Sequence, residues 1–457
     1  MSKSSHTPGP RAAVLALAVA MAAVLAAPRG VHAAEGAPRP AAPVRELLAE
    51  PGALVSWIVG RSPELGAAAA RVTQAGADVG TARLVPNPTL DLGLADLPLG
   101  TTNPPGLGFS DTTIYTIGLS ETIEIGKRGP RIASARLKLQ AAEKAFADVV
   151  VQKTAEARLA LARVVYLKAK LGVLQESLAS ANQALALERT RMEQGQTSGN
   201  DYDRLALETL SLGIDVERSR SEHEAALAAC RAVLLAECDA GAAGDADLDG
   251  AAPVPAEADD LEAALRQRPD VRVFELTRDS ALEDARLARR RVLPDPTLRV
   301  GFTYDRLVVS GDQPKTLMFT LSVPLPIFDH GQHDARRALG RAQEAGLSAA
   351  GALERARADV AAARRRAAFT ARAVRLLAGE AVPKSRAVLE TTSAAVGRGQ
   401  VGMTDLLLAR RTHIALLVNL MDVRFDSLQA RNELRRVLGL DRQYLRGALQ
   451  GQGKGAP

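Results

Sequence analysis

Four short segments of the chain alternate strictly between apolar and polar positions. Leu90, Leu92 and Leu94 share one face, opposite Thr89, Asp91 and Gly93, and Tyr115, Ile117 and Leu119 oppose Thr116, Gly118, Ser120 and Thr122. Further on, Leu298, Val300, Phe302 and Tyr304 oppose Thr297, Arg299, Gly301, Thr303 and Asp305, while Leu317, Phe319, Leu321, Val323 and Leu325 oppose Met318, Thr320 and Ser322. A period of two predicts β-strands over about 88–97, 111–123, 296–307 and 316–326.

Between and after them the period lengthens to that of helices. Arg131–Glu193 has no proline and almost no glycine, and Asp334–Val396 is similar apart from Gly340, Gly346, Gly351, Gly379 and Pro383. At 1.5 Å per residue each would reach roughly 95 Å. Leu167, Leu171, Leu174, Leu178, Ala181 and Leu185 alternate spacings of four and three, the seam of a coiled coil. The chain turns at Gly195-Gln196 and Gly399-Gln400 and returns through Leu205–Ala236 and Leu406–Leu438, which gives two antiparallel helical hairpins flanked by helices over Val44–Arg83 and Asp260–Arg291. Pro383 is expected to kink or loosen its helix.

The same order of elements occurs twice. Leu84-Val85-Pro86-Asn87-Pro88-Thr89-Leu90 matches Val292-Leu293-Pro294-Asp295-Pro296-Thr297-Leu298. Leu119-Ser120 and Gly129 match Leu321-Ser322 and Gly331, and Gly195-Gln196 with Asp201 match Gly399-Gln400 with Asp405. Three matches in order make a duplicated chain. The organisation read from this is a leader over 1–34, a first repeat over 35–237 with its hairpin at 131–237, and a linker over 238–259. A second repeat follows over 260–441 with its hairpin at 333–438, then a tail over 442–457.

The composition agrees with long helices: 47% of residues are apolar but only 3% aromatic. The net charge of +6 comes from Lys and Arg interspersed with Asp and Glu, a solvated helix surface without the basic stripe and stacking aromatics that nucleic acid needs. At the N-terminus, Arg11 precedes an apolar run from Ala12 to Ala27, with Pro28, Gly30 and a small-residue pattern around Val31-His32-Ala33-Ala34. This is the pattern of a secretory signal peptide. No later stretch is long and apolar enough to cross a membrane as a helix, but strands can.

Gly, Thr, Ser, Asp and Arg on the polar strand faces suit a wet lumen, and the opposite faces suit lipid. Six of the thirteen Phe and Tyr residues lie in or beside the strands (Phe109, Tyr115, Phe302, Tyr304, Phe319 and Phe328), where aromatic girdles belong. Four strands do not close a barrel, and an open edge in hydrocarbon leaves backbone groups unsatisfied. Strands in a membrane therefore require an oligomer. The alternatives are an ordinary two-layer sheet and, at the level of function, a soluble periplasmic coiled-coil adaptor or scaffold. No nucleophile motif or convergent acid/base set points to an enzyme.

The paired V-P-N-P-T-L and L-P-D-P-T-L entries, the strand exit Leu119-Ser120-Glu121-Thr122-Ile123-Glu124-Ile125-Gly126-Lys127-Arg128 and both G-Q turns resemble the TolC-type outer-membrane efflux family over about residues 44–441. The E-T-I-E-I-G-K-R segment is similar to its cobalt-zinc-cadmium, heavy-metal branch. The fold class this implies is mainly α with a small membrane β-barrel part. A homotrimer would complete a twelve-stranded barrel that continues into a periplasmic α-helical barrel. The implied partners are outer-membrane lipid, a periplasmic adaptor (membrane fusion) protein and an inner-membrane pump of the resistance-nodulation-division type, with no cofactor. Many relatives carry a lipid-anchored Cys after the leader, whereas the cysteines here are Cys230 and Cys238, so no acyl anchor is expected.

By the same resemblance, Asp201 and Asp405 narrow the periplasmic entrance as a pore gate, and Gly195, Gln196, Gly399 and Gln400 are adaptor-docking tips. Read locally, the two aspartates complement helix dipoles next to Asn200 and Thr404 as N-caps, and the glycines are turn residues. The Tyr and Arg that latch the tips in the family are replaced at the corresponding places by Val396 and Val401, leaving Arg398 as a substitute and a gate held differently. His330, His333 and Asp334 lie at a strand-to-helix turn where polar residues are expected, and no resident metal site is assigned. Cys230 and Cys238 would stand roughly 12 Å apart on a continuous helix, too far for a disulfide; they are expected to be buried free thiols unless the helix ends near Ala236.

Overall fold

The computed structural model describes residues 41–102, 105–239, 241, 261–307 and 313–444. The leader, most of the linker, the middle of the second strand-to-strand loop at 308–312 and the tail beyond Tyr444 lie outside the described residues.

The chain begins with β1 (Ala41–Pro43), α1 (Val44–Ala49), α2 (Pro51–Val59) and α3 (Pro63–Arg83). The flanking segment expected as one helix is thus three, because Pro51 and Pro63 sit at first-turn positions where a missing N–H costs nothing and a preceding helix must stop. Ser62 caps α3 by accepting from the Leu65 N–H at 3.4 Å. Then come β2 (Thr89–Ala95), the short α4 (Phe109–Thr112), β3 (Ile114–Thr122), α5 (Arg128–Glu193), α6 (Gly199–Leu234) and β4 (Glu237–Asp239). The second copy supplies α7 (Leu261–Arg266), α8 (Pro269–Arg289), β5 (Thr297–Asp305), β6 (Lys315–Ser322), α9 (Gln332–Leu376), α10 (Val382–Gly397) and α11 (Met403–Leu438), followed by a 3-10 turn at Leu440–Tyr444.

α5 runs for 66 residues, roughly 100 Å. Its burial changes along its length. In the middle, Val150, Val151, Thr154, Ala155, Ala157, Arg158, Leu161, Ala162, Val164 and Val165 are buried, leaving only a stripe of Gln152, Glu156 and Arg163 exposed, because α2, α3, α6, α11 and the 3-10 turn pack against it. That belt holds the main core, with Leu47, Leu54, Val55, Leu65, Leu234 and Leu428. Toward the hairpin tip burial narrows to Leu167, Leu174, Ala181 and Glu188, one residue per heptad, with Leu171, Leu178 and Leu185 half-buried between them. This is the seam the spacing predicts.

In the second copy α9 buries Ala335, Ala338, Ala342, Ala345, Ala349, Ala352 and Ala356 at spacings of three and four, chiefly against α8. Small side chains on both helices permit close axial approach. A π-helical turn at Leu377–Ala381 separates α9 from α10. It ends two residues ahead of Pro383, whose ring excludes the carbonyl four residues back from an ordinary helical bond, so the widened turn is the loosening expected of that proline.

β2, β3, β5 and β6 form one antiparallel sheet in that order, joined between copies by β3 and β5. The registers stack the apolar faces into rows: Leu90–Leu119–Val300–Phe319, and Leu92–Ile117–Phe302–Leu317. Among the described residues, β2 and β6 each leave one edge unpaired.

β4 replaces the start of the expected linker: Glu237–Asp239 pair in parallel with Ala41–Pro43, tying the end of the first copy to its beginning. The expectation of free thiols is overturned here. α6 stops at Leu234, and Leu235 takes a left-handed conformation (φ 53, ψ 33). The chain turns back on itself, bringing the Cα atoms of Cys230 and Cys238 to 6.1 Å in a disulfide. The Trp57 indole N–H donates to the Leu234 carbonyl at 3.3 Å, fixing the same corner. Replacing both cysteines by serine should lower stability by about 2.5 kcal/mol, the entropy of so short a closed loop; the check is the thermal midpoint with and without reductant, which should shift the native protein and leave the double variant unmoved.

Candidate functional site

Two regions bear on function, the four-stranded sheet and the hairpin tips. The apolar rows of the sheet lie open: Leu92 is 73% exposed, Phe319 69% and Leu321 66%. Among the described residues no helix packs on that face, so an ordinary sheet with one face covered does not describe it. A contiguous apolar surface of this kind marks a membrane or protein interface. The opposite face is polar and internally paired. Asp91 accepts from the Ser120 hydroxyl at 3.1 Å and faces Arg299 at 3.5 Å, and Thr122 meets Thr297 at 3.0 Å.

Where strands give way to helices, the duplicated entry motif has a structural use. Asp295 of the second copy accepts from the Lys127 ammonium at 2.6 Å and the Ile125 N–H at 3.1 Å. Burial works against its charge, but these two donors outweigh it and hold the carboxyl below the usual aspartate range. In the first copy Arg131 pairs with Glu124 and donates to the carbonyls of Ala82 and Leu84, closing the C-terminus of α3.

The tips are built alike. Gly195 (φ 73) and Gly399 (φ 68) each follow a long helix. The N–H groups of Gly195 and Gln196 donate to Met192 and Arg191, and those of Gly399 and Gln400 to Val396 and Ala395, the double bond of a Schellman motif. All four residues are exposed. Nothing lies within 4 Å of a Cβ built at either glycine, so alanine there meets only backbone strain. Gly195→Ala and Gly399→Ala should each cost about 1 kcal/mol, read as roughly fivefold faster hydrogen exchange at Gln196 or Gln400 with the rest of the protein unchanged.

The N-caps differ from expectation. Ser198, not Asn200, caps α6: its hydroxyl accepts from the Asp201 N–H at 3.2 Å and donates to the Asp201 carboxylate at 2.8 Å. Gly402, not Thr404, caps α11, which leaves the Thr404 hydroxyl available. That hydroxyl accepts from Arg204 of α6 at 3.0 Å, joining the two hairpins next to the tips. Arg398 makes no such bond among the described residues, so the link between hairpins is carried by Arg204. A turn or two further up, Arg411 of α11 faces Glu208 of α6 at 3.7 Å. Burial pushes the neighbouring Arg410 guanidinium down, opposed by Glu208. Asp405 is exposed and Asp201 half-exposed at the same level.

Above these links α6, α11 and α5 enclose an open cavity of about 460 Å³ carrying Glu208, Asp215, Glu222 and Asp422 against Lys170, Arg218 and Arg411. Tyr166 donates to Asp422 at 2.6 Å. Burial first, and then the Asp422 carboxylate, raise the phenol well above its ordinary value and keep it a donor. No sequence signal marked Arg204, Glu208, Arg411 or Asp422, since each is a charged residue on a charged helix face. Among the described residues no group of three or more His, Cys, Asp or Glu is placed to hold a metal ion, and no helix is long and apolar enough to cross a membrane.

The outer membrane efflux protein family model matches residues 54–231 and 261–440, once per copy. The chain is 28% identical over 323 residues to the nickel and cobalt resistance protein CnrC of Cupriavidus metallidurans, covering 68% of each chain. Its fold is similar to that of CusC, at 18% identity and a TM-score of 0.73 over 85% of this chain and 91% of the other. It is similar also to the open-state MtrE outer membrane channel of Neisseria gonorrhoeae, at 18% identity and a TM-score of 0.72 over 86% and 89%. With the match to the family model spanning both repeats and the lipid-compatible sheet at one end of its helical hairpins, the chain belongs to the outer membrane efflux protein family and is an outer-membrane exit channel with a long periplasmic helical portion.

Proposed function

We propose that three copies of this chain close a twelve-stranded barrel and continue it as a periplasmic helical tunnel, the exit duct of a tripartite pump for heavy-metal cations. The observation that carries the oligomer is the sheet itself: an apolar face with no cover and unpaired edges at β2 and β6, which hydrocarbon does not tolerate until edges meet. The cargo reading draws on the similarity to a nickel and cobalt resistance protein. The family resemblance supplies the adaptor and the resistance-nodulation-division pump as partners, with Gly195, Gln196, Gly399 and Gln400 as the exposed docking tips. Asp201 and Asp405 then set six carboxylates around the mouth of a trimer, a cation-attracting ring. The protein is a conduit with no chemistry of its own.

The test is subunit number in detergent after extraction from outer membranes, by light scattering or native mass. A trimer is expected. A monomer or dimer recovered without detergent from the periplasm would sink the duct and revive the soluble scaffold. Deletion should then lower tolerance to nickel or cobalt, and unchanged tolerance would remove metal as the cargo.

A further inference from the structure

The two copies differ in charge at the junction between strands and helices. In the first copy, basic side chains are spent internally: Arg128 donates to the Arg83 carbonyl at 2.7 Å, and Arg131 to Ala82 and Leu84. Pairing Gly129 with Gly331 aligns Arg128 and Arg131 with His330 and His333, and Ser134 with Arg336. Pairing Leu84 with Val292 aligns Thr81 with Arg289. Two arginines thus appear in the second junction where the first has hydroxyl residues.

Arg289 ends α8 and Arg336 lies in the second turn of α9. With His330, Val292 and Leu339 they line a shallow cavity of about 380 Å³. Both arginines are exposed, and neither has a hydrogen bond or ion pair among the described residues. The nearby acids are already engaged: Asp334 pairs with Arg291 and with Arg337, and Asp329 accepts from the Gly331 N–H at 2.9 Å. The turn between them is rigid. Gln332 closes it by accepting from the His330 N–H at 3.0 Å and donating to the Phe328 carbonyl at 3.0 Å. Gly331 (φ 80) sits so close to α8 that a Cβ there would overlap the Ala288 carbonyl oxygen.

Apolar side chains are close by. Val292 and Leu339 form part of the lining, and Leu325, Ile327 and Phe328, two to five residues ahead of His330 in the chain, are exposed, Phe328 at 89%. Cations above an apolar rim, at the level where strands end and helices begin, match the phosphate and acyl layers of the leaflet on the helical side.

We infer that Arg289 and Arg336, with His330 beside them, hold the phosphodiester headgroup of a glycerophospholipid from the periplasmic leaflet, its chains lying along Leu325, Ile327 and Phe328. Two guanidinium forks converging on one cavity suit a phosphate that accepts from both. The inference rests on the sheet being in the membrane, and its test starts from protein already extracted from that membrane.

The experiment titrates detergent-extracted protein with phosphatidylglycerol and reads bound lipid per oligomer by native mass spectrometry. The variants are R289Q/R336Q and, as a control of equal charge on exposed α9 positions, R365Q/R372Q. R289Q/R336Q should bind lipid about tenfold more weakly at unchanged oligomer mass, and R365Q/R372Q should bind like the native chain. Equal binding by R289Q/R336Q, or equal loss in both variants, would overturn the site. Displacement of the lipid by an equal concentration of inorganic phosphate would overturn the lipid assignment in favour of a free anion. Failure of the membrane reading shows itself earlier, as protein that never required detergent.

Discussion

Replacing Asp441 by alanine should destabilise the protein by about 3–5 kcal/mol, because it strands two buried guanidinium groups. Asp441 is fully buried at the 3-10 turn after α11, and its carboxylate accepts from Arg158 of α5 at 3.0 and 3.3 Å and from Arg435 at 2.8 Å. Arg158 also donates to Asn432 at 2.9 Å, and Asn432 donates to the Ala155 carbonyl at 2.8 Å, so the network clamps the end of the second copy onto the mid-length belt of the first. Removing one partner of such a network costs far more than the net worth of the contacts, since the remaining charges keep their desolvation without compensation. The measurement is the thermal or denaturant midpoint of the detergent-solubilised protein; a change below about 1 kcal/mol, the median for an exposed pair, would show the belt is wetter than its burial implies.

The same residue makes a pH prediction with a definite sign. Burial alone would raise the Asp441 carboxyl, but Arg158 and Arg435 reverse that and lower it below its ordinary value. A carboxyl depressed on folding binds protons more readily when unfolded, so its stabilisation is complete above the unfolded value and fades as pH falls through the folded one. The native midpoint should therefore decline as pH drops below about 4, and the alanine variant should lose that part of the decline.

How much of this was readable in advance divides along the range of the interactions. The strands were legible because a period of two needs only local pattern, and Leu90, Leu92 and Leu94 fall on one face whatever they pair with. The hairpins were legible because glycine followed by glutamine at matched places forces a left-handed stop in each copy. The end of α6 was not, since Leu235 is a branched residue in a left-handed conformation that propensity disfavours, and the disulfide depends on it. The N-caps were missed by two residues because Asn200 and Thr404 are good capping types, while the helices start two residues earlier, after Ser198 and Gly402. Asp441 fell at the edge of an expected tail, and its partner Arg158 lies 283 residues earlier, where only the fold shows the meeting.

Neutralising Asp201 and Asp405 together, as Asn, should cut the cation-over-anion selectivity of single channels in planar bilayers by about an order of magnitude, with each single variant giving less than half the logarithmic effect. Of the pair, Asp405 is the more exposed, whereas Asp201 is engaged by the Ser198 cap through both its N–H and its carboxylate, so Asp405→Asn should alter conduction with little change in stability and Asp201→Asn should also loosen the start of α6. Unchanged selectivity in the double variant would return both residues to helix capping alone. Resting conductance should respond to a different set of side chains. Arg204 to Thr404 and Arg411 to Glu208 are the hydrogen bond and ion pair that hold α6 to α11 near the tips, where the side chains of Val396 and Val401 have no polar atom to offer. Arg204→Ala with Glu208→Gln should free the second hairpin, whose distal part buries only Ser385 on α10, from the well-packed first. The expected result is a several-fold rise in resting conductance with selectivity retained, because the carboxylates stay in place. Reduced selectivity at constant conductance would instead mean that Glu208 belongs to the filter and the tips are held by contacts between neighbouring subunits.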